Sequence, residues 1–328
     1  MKGIHQVIIQ NKRIHFRFEV RRNITIICGD SATGKTTLID MISEYINHPE
    51  DSGVSLSCDK SCYVLEGSLW QGQLSVIHDS IVFIDEGNRF ISTPEFAEAI
   101  RGTDNYYVIV TRESLPALPY SVNEIYGIRM SGRFGRLQQV YNEFYPVYPA
   151  EPRIAVEPDE IITEDSNSGF DFFRTVTEGS SIRVTSANGK SNVFALASRH
   201  QRDRGKLLIV ADGAAFGSEI SKMTALVVGN PHIVLYLPES FEWILLKSDV
   251  LHDAEVREIL ANPSEHVESS RFFSWERFFT FLLISKTEGT WLHYAKRQLN
   301  EAYTKGPIRQ AVLQVMEPIL IECRDQDK

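Results

Sequence analysis

The feature that most constrains this chain is an eight-residue stretch, residues 29–36, that joins a β-branched run to a region of helical pattern. It reads Gly-Asp-Ser-Ala-Thr-Gly-Lys-Thr and fits the spacing G-x-x-x-x-G-K-S/T. Such glycines let backbone N–H groups close around phosphate oxygens, and the following helix adds the positive end of its dipole. Lys35 is expected to reach the β- and γ-phosphates of a nucleotide, and Thr36 to hold Mg²⁺. The predicted nucleotide-binding residues are Gly29, Asp30, Ser31, Ala32, Thr33, Gly34, Lys35, Thr36 and Thr37.

A pair of carboxylates ends a later apolar run. Residues 81–84 read Ile-Val-Phe-Ile, and Asp85 and Glu86 follow them directly. Because α/β sheets bind ligands at the carboxyl ends of their strands, this pair is expected beside the phosphate loop. Asp85 is predicted to hold Mg²⁺ through water. Glu86 is predicted to be catalytic, together with Lys35, by orienting the attacking water.

Apolar runs and helical stretches alternate along the first 150 residues. Residues 7–10 and 15–20 flank Asn11-Lys12 and predict a hairpin. Further strands are predicted at residues 23–28, 62–65, 80–84 and 106–111, with a helix from 35 to 46. Near-continuous apolar strands separated by helices are typical of an α/β fold, with a parallel sheet covered on both faces.

These motifs together resemble the P-loop NTPases that carry an added catalytic glutamate, a class that includes AAA and ABC-type ATPases. The resemblance implies hydrolysis of ATP with Mg²⁺. It also implies that Tyr106–Arg112 is the strand whose polar end senses the γ-phosphate, with Thr111 and Arg112 as candidates; an ordinary strand end is the alternative. Only 85 − 36 = 49 positions separate Thr36 from Asp85, and we find no convincing Leu-Ser-Gly-Gly signature. Both departures argue against an ABC-type sandwich dimer and for a reduced ATPase domain.

A proline-rich stretch divides the chain near residue 150. Residues 145–152 contain three prolines, which neither a helix nor a central strand accommodates. We therefore predict two domains, 1–150 and 151–328. Strands are predicted in the second at residues 160–163, 181–184, 206–211 and 231–237, with helices at 168–177 and 191–202. A helical tail follows, with helices at 253–261, 275–285, 291–302 and 308–318.

Two carboxylates follow strands of the second domain. Glu164 comes after its first strand and Asp212 after its third. In a parallel sheet both would reach the same edge, where hard oxygen ligands suit Mg²⁺. Residues 187–192, between them, open a helix in a way suited to holding a phosphate. The alternative is that Glu164 and Asp212 each cap the helix that follows.

This plan resembles the Toprim domain, the metal-binding fold of topoisomerases, primases and OLD-type nucleases. Toprim-like phage-defence proteins with a small N-terminal ATPase resemble the chain over most of its length. The resemblance implies that Glu164 and Asp212 are catalytic and bind metal. Toprim domains normally carry Asp-x-Asp after the third strand, whereas Gly213 and Ala214 follow Asp212 here, so one acid is missing. The candidates to replace it are Glu219, Glu239 and Glu242.

Composition limits the partners and the compartment. The chain carries 34 Lys and Arg against 43 Asp and Glu, a net charge of −9, so a nucleic-acid contact would have to use a local patch such as residues 12–22 or 199–206. The longest apolar stretches, such as Phe278–Ile284, fall far short of the ~20 residues of a membrane span. Four cysteines form no disulfide framework. We therefore expect a cytoplasmic protein without a membrane segment.

Three functions fit these features. The leading one is an ATP-hydrolysing enzyme whose ATPase gates a Toprim-like module acting on nucleic acid, as in phage-defence or mobile-element proteins. The second is a nucleotide-dependent regulator or assembly ATPase with a catalytically degenerate Toprim-like binding module, which the missing acid at Ala214 favours. The third is a small-molecule kinase, whose nearest lid candidate is Gly132–Arg136. The expected partners are a nucleotide, a nucleic acid, and a partner protein or second copy of the chain.

Overall fold

The computed structural model describes residues 1–29, 34–133, 140–148, 155–200 and 205–321. These residues form an α/β protein with one mixed sheet of nine strands and one parallel sheet of four. The chain divides into two compact units, Met1–Tyr148 with Asn262–Ser274, and Pro149–Ala261 with Trp275–Lys328. The division expected at residue 150 lies outside the described residues. The segment Asn262–Ser274, which the sequence division placed in the second domain, belongs to the first unit because the Asn23 amide donates to Ser269 O and Phe272 O, both at 3.1 Å.

The elements of the first unit alternate largely as expected. Its strands are β1 (His5–Gln10), β2 (Ile14–Val20), β3 (Ile24–Ile27), β4 (Ser55–Ser57), β5 (Ser61–Val64), β6 (Ser80–Ile84), β7 (Tyr106–Val110), β8 (Ile125–Arg133) and β9 (Val140–Pro146). Its helices are α1 (Lys35–Asn47), α2 (Trp70–Leu74) and α3 (Pro94–Ile100).

The first unit's sheet is mixed, so the predicted parallel sheet is present only as part of it. Its order is β4-β1-β2-β9-β8-β3-β7-β6-β5. Strands β8, β3, β7, β6 and β5 run parallel, while β1 pairs antiparallel with β2 and β4, and β8 with β9. The predicted hairpin of β1 and β2 is confirmed. The Asn11 side chain accepts from the N–H groups of Arg13 and Ile14, at 2.8 and 2.9 Å, and so tight a turn joins only antiparallel neighbours.

Both faces of the parallel part are covered. On one face, Leu38 and Ile42 of α1 pack with Val108 of β7 in the main apolar core. On the other, the Phe96 ring of α3 meets Tyr107 edge-on, with centroids 6.2 Å apart. Successive residues of a strand point to opposite faces, so a strand buried on both sides reads as a continuous apolar run.

The second unit repeats the alternation of strands and helices. Its strands are β10 (Glu160–Thr163), β11 (Arg183–Ser186), β12 (Leu207–Val210) and β13 (Ile233–Tyr236). Its helices are α4 (Ser168–Val176), α5 (Lys190–Ala197), α6 (Gly217–Gly229), α7 (Phe241–Lys247), α8 (Ala254–Ala261), α9 (Trp275–Thr287) and α10 (Gly306–Val315). Among the helices of the described ranges, none combines the length and the apolar character that crossing a membrane requires.

The four strands of this unit are all parallel, in the order β11-β10-β12-β13. The strand predicted at residues 160–163 is confirmed, and the one predicted at 181–184 lies two residues later. Since β10 and β12 are direct neighbours, with Thr163 opposite Val210, the residues that follow them emerge side by side.

The helix predicted at residues 291–302 was wrong. This stretch forms turns, an isolated bridge between Ala295 and Gln298, and a short 3₁₀ turn at Glu301–Thr304. The Asn300 amide donates to the carbonyls of Trp291 and His293, at 2.8 and 3.3 Å. Side chains that bond nearby carbonyls in this way compete with helix formation.

Candidate functional site

The predicted catalytic segments of the first unit meet at one edge of its sheet. Ile27, near the end of β3, lies opposite Val110 of β7, and Ile84 of β6 lies opposite Ile109. Because β7 separates β3 from β6 and neighbouring strands lie about 4.8 Å apart, the ends of β3 and β6 are about 10 Å apart. The segments that leave this edge are Cys28–Gly29, Asp85–Glu86 and Thr111–Arg112.

The described part of the phosphate loop has the conformation that its glycines predict. Gly29 and Gly34 have φ angles of 123° and 93°, which an L-residue side chain disfavours. Lys35 is buried, and its Nζ donates to Gly29 O at 2.7 Å, so the ammonium lies close to the first residue of the loop. The predicted nucleotide-binding residues Asp30, Ser31, Ala32 and Thr33 lie outside the described residues.

Helix α1 begins directly at this loop. Leu38 N donates to Gly34 O at 2.9 Å, the first bond of the helix, so the N–H groups of Lys35, Thr36 and Thr37 precede the helical ladder. Thr36 is exposed and Thr37 half-buried. Backbone donors and a hydroxyl at a helix N-terminus are the chemistry that a phosphate with Mg²⁺ requires. Thr36, with its exposed side chain, could hold Mg²⁺ here, and Asp85 is the other predicted ligand.

Arg112 and Glu86 form a bidentate ion pair. Its Nε lies 2.9 Å from Glu86 Oε2 and its Nη2 lies 3.1 Å from Oε1. Glu86 N also donates to Asp85 Oδ1 at 2.8 Å. Thr111, the other sensor candidate, uses its hydroxyl within its own turn, donating to Glu113 O and accepting from Glu113 N. Arg112 is thus the sensor candidate that reaches the predicted catalytic carboxylate.

The structure brings together the two predicted acids of the second unit. Glu164 Oε2 accepts from Asp212 N at 3.1 Å, and Asp212 Oδ1 accepts from Phe241 N, the first residue of α7, at 3.1 Å. Neither acid caps the helix that follows it, since the N-caps of α4 and α6 are Asn167 and Phe216. The capping alternative was therefore wrong.

The residues after Asp212 explain why a second acid is absent there. A Cβ atom on Gly213 would lie 2.5 Å from Leu237 O, too close for any side chain, and Gly213 N donates to Pro238 O at 2.6 Å. Because the chain passes so close to Leu237 and Pro238 at this point, Ala214 lies in the interior and is 2% exposed. An acid at position 214 would thus be buried against the end of β13.

Of the three proposed replacement acids, only Glu242 lies at the cavity beside Glu164 and Asp212. Tyr294 donates its hydroxyl to Glu242 Oε1 at 2.8 Å, while Oε2 is buried without a hydrogen-bond partner in the described chain. Glu219 instead pairs with Lys222 within α6, and Glu239 supplies its carbonyl oxygen to Ala214 N at 3.2 Å.

The sequence pattern missed two residues of this site. Lys296 Nζ lies 2.7 Å from Glu276 Oε1 and 3.7 Å from Glu242 Oε1. Glu276 is in the first turn of α9, and Lys296 is in the stretch that the sequence wrongly predicts as a helix. No spacing motif marks either residue, because their position depends on how the tail folds back on the sheet. Lys190, the first residue of α5, donates to Ala215 O at 3.1 Å, and its charge opposes the rise in the pKa of Glu164.

Burial and like charges disfavour ionisation of both acids. Burial, with the charge of Glu276 adding to it, raises the pKa of Glu164 to about 7. Burial and the carboxylates of Glu276, Glu164 and Glu242 raise the pKa of Asp212 well above its usual range. Burial opposes the charge of Lys296, yet Glu242 and Glu276 raise its pKa above the ordinary value for lysine.

The metal predicted at Glu164 and Asp212 would share its cavity with a protein cation. Lys296 lines the same cavity as Glu164, Asp212 and Glu242, whereas Mg²⁺ prefers a set of six oxygen ligands. Across the residues that the structure describes, no group of three or more His, Cys, Asp or Glu side chains could hold a metal ion. We therefore derive no chemical step from a metal here.

Replacing Glu164 with glutamine should remove a pH dependence of stability. The native carboxyl, with a pKa of about 7, binds more protons than the unfolded one between about pH 4.5 and pH 7, so it lowers the unfolding free energy as pH rises through that window. Above pH 7 the unfolding free energy of the variant is expected to exceed that of the unmutated protein by up to about 3 kcal/mol. Below pH 4.5 the two unfolding free energies are expected to be equal. Thermal unfolding across pH, with Glu178→Gln at an exposed position as control, measures this difference. If stability depended on pH in the same way in the Glu164 and Glu178 variants, this prediction would be contradicted.

Comparisons with protein-family models and with characterised proteins find no match for the chain.

Proposed function

We propose that the first unit binds ATP with Mg²⁺ and hydrolyses it, and that this cycle controls the second unit. The observation that carries the proposal is the convergence of three segments at one sheet edge: the glycine-bounded loop ending in Lys35, the pair Asp85–Glu86, and Arg112, two residues past the end of the strand between them. This order supports roles for Lys35 on the phosphates, Asp85 and Thr36 on Mg²⁺, and Glu86 on the attacking water.

Arg112 supports a link between nucleotide state and catalysis. A guanidinium binds carboxylate or phosphate through the same paired donors, so a γ-phosphate would compete with Glu86 for Arg112. Exposed ion pairs contribute only about 0–1 kcal/mol, so the exchange costs little. Glu86 would then be released to orient water only when a triphosphate is bound.

Two roles for the second unit follow from different observations. The adjacency of Glu164 and Asp212 at one edge supports a Toprim-like module that acts on nucleic acid, the leading function predicted from the sequence. The lysine at the small acidic cavity, with Ala214 in place of an acid, supports a binding module without metal chemistry, as in a nucleotide-dependent regulator.

One assay separates these functions. Phosphate release from ATP is measured with and without DNA or RNA, and strand cleavage is followed in the same samples with Mg²⁺ or Mn²⁺. We expect phosphate release that requires Mg²⁺. Cleavage that Glu164→Ala abolishes supports the nuclease, release without cleavage supports the regulator, and phosphate appearing on a small molecule would support a kinase. Absence of any ATP turnover would contradict the proposal.

A further inference from the structure

We propose that Lys296 is the built-in counter-ion of the second unit, with its ammonium neutralising a cluster of carboxylates in place of a divalent cation. The cluster, called the acid cluster below, consists of Glu242 and Glu276, which Lys296 contacts, and of Glu164 and Asp212, which line a cavity with Lys296. The inference concerns the second unit alone and holds whether or not the first unit hydrolyses ATP.

The first support is the position of the ammonium. Lys296 Nζ bonds Glu276 at 2.7 Å and lies 3.7 Å from Glu242, and Lys296 lines the cavity that Glu164 and Asp212 also line. The Glu242 side chain is 2% exposed, and an uncompensated charge buried to that degree is strongly unfavourable. A cation at the acid cluster is therefore required, and the chain supplies one.

The second support is that the backbone of Lys296 is fixed in place. Ser168, at the start of α4, donates its hydroxyl to Ala295 O and Lys296 O, at 3.0 and 2.6 Å, and its N–H to Lys296 O at 3.0 Å. Tyr303 donates its buried hydroxyl to Leu292 O at 2.7 Å. These bonds hold the backbone of the turn in place, so the ion pairs of Lys296 do not have to supply the backbone ordering themselves.

The third support is the repulsion between two cations at one place. A metal ion at Glu164 and Asp212 would stand in the cavity that Lys296 also lines, and like charges at that range repel.

Lys286 provides a matched control within the same unit. Its Nζ also bridges two carboxylates, at 2.8 Å from Asp253 and 2.6 Å from Glu255, but the Glu255 side chain is 68% exposed. Water screens those acids when the lysine is removed, whereas it has little access to the Glu242 carboxylate, whose side chain is 2% exposed. The two lysines therefore differ in burial of their partners rather than in number of ion pairs.

The experiment compares Lys296→Met with Lys286→Met in the full-length, nucleotide-free protein. We expect Lys296→Met to lower the melting temperature by about 5 °C or more relative to the control variant, because it leaves the Glu242 carboxylate, which is 2% exposed, without its cation. Equal melting temperatures for the two variants would overturn the inference.

A second measurement does not depend on the variant folding. Mn²⁺ is titrated calorimetrically into the nucleotide-free unmutated protein and into Glu164→Gln, so that any binding in the first unit is common to both. We expect identical isotherms, because Lys296 already occupies the acid cluster. A Mn²⁺ site that is present in the unmutated protein and lost in Glu164→Gln would overturn the inference. Phosphate release from ATP, assayed separately on the unmutated protein, reports on the first unit.

Discussion

Replacing Glu86 with glutamine is expected to lower ATP turnover by about a hundredfold or more while ATP remains bound. The amide keeps the shape of the side chain but no longer accepts a proton from the attacking water. The lost ion pair with Arg112 lies at the surface, with side-chain exposures of 32% for Glu86 and 52% for Arg112, so folding should be unaffected. Phosphate release and binding of labelled ATP measure the two effects separately.

Glu113→Gln is the matched control for this variant. Glu113 lines the same open groove as Glu86, of about 720 Å³, yet only its main chain bonds Thr111. We expect normal turnover in Glu113→Gln, and weaker Mg²⁺-dependent ATP binding in Asp85→Asn. A Glu86→Gln variant that hydrolyses ATP at the normal rate would show that the base lies elsewhere.

Replacing Lys35 with alanine is expected to weaken ATP binding by about tenfold or more. Hydrogen bonds to charged groups contribute about 1.5–3 kcal/mol, and each 1.4 kcal/mol corresponds to a factor of ten in affinity. The variant removes the cation nearest the phosphate loop, where Lys35 Nζ bonds Gly29 O. Equilibrium binding of ATP with Mg²⁺ measures the loss.

Lys60→Ala controls for loss of a lysine in the same unit. Lys60 pairs with Asp79 at 2.5 Å, on a different segment from the loop. ATP affinity in this variant is expected to equal that of the unmutated protein. Equal affinities in Lys35→Ala and the unmutated protein would remove the basis for a nucleotide site at Gly29–Thr36.

The site of the first unit was predictable because each part of it ends a short apolar run. Buried parallel strands must be apolar on both faces, so the polar residues that interrupt the pattern, Asp85 and Arg112, mark the strand ends. The strand order then brings these ends together. The sequence could not show that Arg112 pairs with Glu86, because that depends on rotamers at a surface.

In the candidate site of the second unit, only the residues that follow the sheet strands could be predicted from the sequence. Glu164 and Asp212 follow neighbouring parallel strands, and that alone brings them side by side. Lys296 could not be predicted from local pattern, since its segment has helical periodicity but is held in turns by the side chains of Asn300 and Ser168. The mixed sheet of the first unit has a similar cause, because the partners of β1 and β8 depend on pairing between distant segments.

The most direct test of the account is the structure of the Glu86→Gln variant with ATP and Mg²⁺ bound. We expect Lys35 Nζ to leave Gly29 O and bond the β- and γ-phosphates, with Mg²⁺ on the Thr36 hydroxyl and Asp85 reaching the ion through water. Arg112 should point to the γ-phosphate. A triphosphate bound away from Gly29–Thr36, or a Lys35 ammonium that stays on Gly29 O beside a bound nucleotide, would contradict the account.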